Sequence, residues 1–76
     1  MQGLPDEVFR YKGFEGSIEY HEPSGMWSGE LDDPEYLVTY EGQSRAELKR
    51  NFHEAVIDHI RYLEEQVARA RAKGKT

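Results

Sequence analysis

From Ser44 onward this chain can make one long helix that is apolar along a single stripe, and such a helix persists only where something covers the stripe. Leu48, Phe52, Ala55, Val56, His59, Ile60, Leu63 and Val67 recur at steps of three and four, which winds them onto one side. Glu47, Lys49, Arg50, Glu54, Asp58, Arg61, Glu64 and Glu65 fall mostly on the other. Ser44 and Glu47 have the S-x-x-E spacing of a capping box, in which the serine hydroxyl accepts a helix-start N–H and the glutamate reaches back to the serine N–H. The spacing predicts a helix from about Arg45 to about Ala70, beyond which ARARAKGKT loses its apolar period and Gly74 ends the helical tendency. An isolated helix is marginal in water. The residues before Ser44 must therefore supply the cover.

Those residues read as sheet. Phe14 to Tyr20 alternates, with Phe14, Gly16, Ile18 and Tyr20 on one face, the pattern of a half-buried strand. His21 to Gly25 is a turn bearing proline and glycine, and Met26 to Leu31 follows as the second arm of an antiparallel hairpin. Gly29 within that arm predicts a bulge or the close approach of another backbone, such as the helix. Asp32 to Tyr36 is a loop, and Leu37 to Tyr40, rich in β-branched and aromatic residues, is a short third strand. The expected class is α+β: a three-stranded antiparallel β-meander packed by one long C-terminal helix, in the order β-β-β-α. A single domain spans 9–72, flanked by a flexible N-terminus (1–8) and a basic tail (73–76).

Seventy-six residues without cysteine leave no disulfide or thiolate metal site to staple a core close to the lower size limit, so a homodimer or higher homo-oligomer is expected. No basic start with an apolar run opens the chain, and no window approaches a membrane span, which predicts a cytoplasmic protein. Residues 1–68 carry six Lys or Arg against fifteen Asp or Glu, a net −9, and residues 69–76 add four positive charges. An acidic body repels phosphate backbones and suits a basic partner.

Several short segments, in order and at matching spacing, carry a resemblance. YKGFEGSIEY (Tyr11 to Tyr20), Gly29, LVTYEG (Leu37 to Gly42), and FHEAV with the following acid (Phe52 to Val56, Asp58) resemble the HicB antitoxins of bacterial HicA and HicB toxin–antitoxin pairs, over roughly residues 11 to 63. The resemblance implies a partial ribonuclease H fold without catalytic capacity, which binds a HicA-like toxin, a small basic ribonuclease, and occludes its active site. Ile57 and His59 stand where family members often carry Asp and Tyr. Members usually continue past the helix into a further strand and a DNA-binding segment, so operator binding is not expected of this chain.

The residues permit other readings. Glu30, Asp32, Asp33 and Glu35 are close enough in sequence to suggest Mg²⁺, but that ion needs carboxylates converging from separate elements. A solvated acidic loop, suited to docking the lysines and arginines of a toxin, is the preferred reading, with Trp27 and Tyr36 beside it as aromatic anchors. Trp27, Glu30, Asp32, Asp33, Glu35 and Tyr36 are thus the expected partner-binding set. His53, Ile57 and Ile60 widen the helix stripe into an expected homodimer seam. His59 reads as a packed or interface histidine rather than a base. Neither a catalytic group nor a cofactor nor a metal is expected. The alternative is a stand-alone oligomeric scaffold or interaction module with no toxin partner.

Overall fold

A computed structural model describes residues 7–74 of the chain. The expected loose N-terminus lies outside the described residues as far as residue 6, as do residues 75 and 76 of the basic tail. Five short strands precede one helix: β1 (Phe9–Tyr11), β2 (Phe14–Gly16), β3 (Glu19–His21), β4 (Met26–Glu30), β5 (Thr39–Gly42) and α1 (Arg45–Gly74). β3, β4 and β5 form an antiparallel meander, and β1 and β2 form a separate antiparallel hairpin. The class is α+β, with a two-stranded and a three-stranded sheet and one long C-terminal helix.

The hairpin is the part that alternation alone does not predict. Its turn is Lys12-Gly13, with φ of 52° and 85°, the positive values that a two-residue primed turn requires to match strand twist. Phe9 pairs with Gly16 and Tyr11 with Phe14, which puts the aromatics on one face. On the other, Arg10 and Glu15 form an ion pair at 2.9 Å.

The segment expected as one strand, Phe14 to Tyr20, is interrupted at Ser17 and Ile18, yet its register against β4 never slips. Glu19 pairs with Ser28, and Gly16 bridges Leu31, so both sides of the break count to the same sum. The break is a substitution of hydrogen bonds. Ser17 N–H donates to the Glu30 carbonyl at 3.0 Å, but Glu30 N–H donates to the Ser17 hydroxyl instead of its carbonyl, also at 3.0 Å. The Ser17 carbonyl turns inward and accepts from the Tyr40 hydroxyl at 2.8 Å. Gly29 lies directly under this arrangement: a Cβ there would collide with the Ser17 carbonyl oxygen and the Tyr40 ring. The close approach anticipated at Gly29 is thus real, and the approaching backbone is that of Ser17, not of the helix.

α1 starts where the spacing predicts. Glu47 N–H donates to the Ser44 hydroxyl at 3.1 Å, and Leu48 N–H to the Ser44 carbonyl at 2.9 Å. The returning glutamate bond goes one residue earlier than in the simple capping box, from Gln43 N–H to Glu47 Oε1. The helix also ends later than the apolar period, at Gly74, because Ala70, Arg71 and Ala72 are strong helix formers that need no buried face to continue a turn. Leu48, Phe52 and Val56 are fully buried. Phe52 is central, its ring 5.4 Å from those of both Phe9 and Tyr40, so it joins the hairpin to the meander. Asn51 caps the edge of β5 by donating its side-chain N–H to the Glu41 carbonyl. Among the described residues, no helix is long and apolar enough to cross a membrane.

Candidate functional site

The loop between β4 and β5 is built from its hydrogen bonds outward. Asp32 N–H donates to the Glu15 carbonyl at 2.8 Å, and Leu31 N–H to the Val38 carbonyl at 2.9 Å, which close both ends of the loop onto strands. Inside it, Asp33 Oδ1 accepts from the N–H groups of Glu35 and Tyr36 at 2.8 and 3.2 Å, the local bond that makes aspartate before proline a turn former. Asp33 Oδ2 meets His59 Nε2 at 2.9 Å. His59 is buried between the edge-on rings of Phe14 and Tyr36, at 5.7 and 5.2 Å, with Tyr62 stacked beyond at 6.4 Å. The loop is therefore pinned to the helix through a polar contact inside an aromatic wall.

Electrostatics follow from this geometry. The Glu35 N–H, then the His59 ring, hold the Asp33 carboxyl below the ordinary aspartate range, outweighing the opposing effect of burial. Burial, followed by the neighbouring Tyr62 hydroxyl, pushes the Tyr36 phenol up. Burial also pushes Tyr40 up to about 12, with Glu19 and Glu30 adding to it.

The preferred reading of the acidic loop thus divides. Asp33 is not a solvated carboxylate: its side chain is 14% exposed and both oxygens are engaged, so it shapes the loop from within. Tyr36 likewise faces His59 and Tyr62, the latter ring at 5.5 Å. Glu30, Asp32 and Glu35 are exposed. Glu15, Glu30, Asp32 and Asp33, with Leu31 and Pro34, border a cleft of about 420 Å³ whose lining includes no Lys or Arg among the described residues. Glu30 also borders the outer face of the meander, where it stands with Glu19 and Glu41. The glutamates of three strands thus give that face one sign.

Trp27 does not lie beside this loop. It pairs with Tyr20 and Gly42 near the other end of β4, four residues and about 13 Å of strand from Leu31, and its ring packs on Tyr20 at 4.9 Å. Of the helix residues expected at a seam, His53 stacks on Tyr11 at 4.1 Å and so is occupied by the hairpin. Ile60 is half-buried at the edge of the core, and Ile57 is half-buried. The link from His59 to Asp33 is the feature that sequence reasoning missed. Its signals were present separately, a histidine on the apolar stripe and an Asp-Pro turn, but nothing in the spacing joins residues 26 apart. Among the described residues no group of three His, Asp or Glu side chains is placed to hold a metal ion.

No family model, curated protein or solved structure matches this chain.

Proposed function

We propose that this chain is an antitoxin-like protein-binding domain that neutralises a HicA-type ribonuclease by covering its active site. The observation that carries the reading is the acid-lined cleft between β2 and the end of β4, continuous through Glu30 with the acidic outer face of the meander. A small ribonuclease must present lysines and arginines to hold RNA phosphates, and those groups are the natural complement of such a surface. Masking needs no reacting group, only area, shape and opposite charge, so on this reading the protein is not an enzyme and works in the cytoplasm. The motifs between Tyr11 and Leu63 that resemble HicB antitoxins, including the partial ribonuclease H fold they imply, support the same assignment. Within the expected set, Glu30, Asp32 and Glu35 make the contact, Asp33 and Tyr36 hold the loop in shape, and Trp27 falls outside the cleft.

The experiment is to mix the purified chain with HicA-type ribonucleases and follow co-elution and RNA cleavage together. A co-eluting complex with cleavage suppressed is expected, and charge reversal at Glu30 and Asp32 should slow association by about tenfold at low salt, with a smaller change in dissociation. Cleavage continuing undiminished with every such ribonuclease at saturating concentrations of the chain would defeat the reading. The second reading, a stand-alone self-associating module, is favoured by one observation: the helix continues well beyond the strands that cover it.

A further inference from the structure

Between Ile60 and Arg71 the side chains of α1 border an apolar groove of about 390 Å³, formed by Ile60, Leu63, Glu64, Val67, Ala68 and Arg71. Val67, at its centre, is 52% exposed. Ile60 still touches the core, but from Arg61 to Ala72 no residue is buried, although the three-and-four spacing of apolar residues continues. A helical segment with no tertiary cover has little stability of its own, so the groove is the part of the molecule with most to gain from a partner.

Its charges say which partner. Glu64 and Arg71 are seven residues apart, two helical turns, and so stand on the same edge of the groove. Among the described residues neither is in an ion pair within the fold. An edge carrying a negative and then a positive charge is complementary to the same edge run backwards. We propose that the far half of α1 is a self-association surface, on which a second copy of this chain lies antiparallel about a two-fold axis near Val67 and Ala68, with Glu64 of each copy paired to Arg71 of the other.

The same register fits the packing. It sets Val67 against Ala68 of the second copy at the two-fold axis, large against small, which allows the helices to approach to roughly 8 Å. It also sets residue 61 opposite residue 74, so the overlap is the stretch of helix beyond the core, about 20 Å long at 1.5 Å per residue. A parallel pairing would place Glu64 beside Glu64 and crowd both sheets at one end. An antiparallel pairing slid by one heptad would also face Glu64 with Glu64. The arrangement is isologous, as a closed dimer requires. None of the groove residues lines the acidic cleft, so this surface and the proposed toxin surface stand or fall separately. The overlap is short, which places the dimer among weak associations with a dissociation constant on the order of micromolar.

The test is sedimentation equilibrium of the whole chain over a concentration series, with circular dichroism to confirm that each variant is folded. The wild type should pass from monomer to dimer, and Val67→Asp, which brings two carboxylates to the axis, should remain a monomer. Glu64→Arg alone and Arg71→Glu alone should each weaken the dimer by about tenfold, since each sets like charges opposite one another. An equimolar mixture of those two variants should associate again, because between them both ion pairs are restored, one as in the wild type and one with its signs exchanged. A dimer indifferent to Val67→Asp, or charge variants that stay apart when mixed, would overturn the proposal, as would a wild type that is monomeric throughout.

Discussion

The two halves of α1 carry the same kind of stripe and meet opposite fates. In the first, Arg45 to Ile60, the helix is capped by Ser44, and Leu48, Phe52 and Val56 are fully buried against both sheets. In the second, Arg61 to Gly74, Tyr62 and Val67 are 43% and 52% exposed, and no residue from Arg61 to Ala72 is buried. The difference is one of lengths. Five residues of β4 span about 17 Å, whereas thirty residues of helix span about 45 Å, and the molecule is 55 Å long but only 22 Å across. A three-and-four spacing fixes which side of a helix wants cover; the strands decide how far that cover extends.

Truncating one apolar side chain in each half gives the sharpest separation. Phe52→Ala removes the ring that joins hairpin to meander and should cost about 3–5 kcal/mol, a large part of the stability of a domain this small. Val67→Ala, measured below the concentration at which chains associate, should change stability by less than about 0.5 kcal/mol. Urea titrations followed by far-ultraviolet circular dichroism report both. Comparable losses at the two positions would mean that the far half is covered within the monomer, and the contrast would collapse.

His59 marks the boundary, and Asp33 is what holds it there. Asp33→Ala removes the carboxylate that faces a buried ring and also releases the Glu35 and Tyr36 N–H groups, so its midpoint should fall less than that of Phe52→Ala but by more than that of Tyr40→Phe. The sign of the pH effect follows from the direction of the shift. Asp33 titrates lower in the folded chain than the ordinary value of 3.8, so its contribution is complete above that value and is lost as pH falls through the folded-state value. Asp33→Asn keeps the turn-forming oxygen and should flatten the loss of stability below about pH 4. An unchanged acid limb in that variant would remove Asp33 from the boundary.

What the sequence made legible was whatever is local. The cap at Ser44, the buried face of the helix, the antiparallel pairing of Phe14 to Tyr20 with the next strand and the crowding at Gly29 all arise from neighbouring residues or from one strand pair. The hairpin from Phe9 to Gly16 is local too, and Lys12-Gly13 was a readable turn, but each of its strands is three residues long and shows little alternation. Asp33 and His59 were each visible as polar residues in unusual places. Their contact depends on where the loop crosses the helix, and no periodicity encodes that. For the same reason the acids from Glu30 to Glu35, alike in composition, separate into one inward and three outward side chains only once the turn is built.

The smallest expected effect probes how firmly the first half is held from inside. Tyr40→Phe keeps the ring against Phe52 and removes only the hydroxyl that donates to the Ser17 carbonyl, which should cost about 1 kcal/mol at neutral pH. At high pH the order should reverse. The Tyr40 phenol is pushed up to about 12 in the folded chain from 10.0, so its contribution is complete below the lower value and is lost as pH rises towards the higher, amounting to about 2 kcal/mol by then. The variant has no such group to ionise. Tyr36 and the exposed tyrosines affect both proteins alike, so the two stability curves, measured by urea denaturation from about pH 8 to 12, should cross near pH 11. Curves that stay parallel throughout would show that the Tyr40 hydroxyl reaches water in the folded chain, and that the first half of the helix is less tightly covered than its buried face indicates.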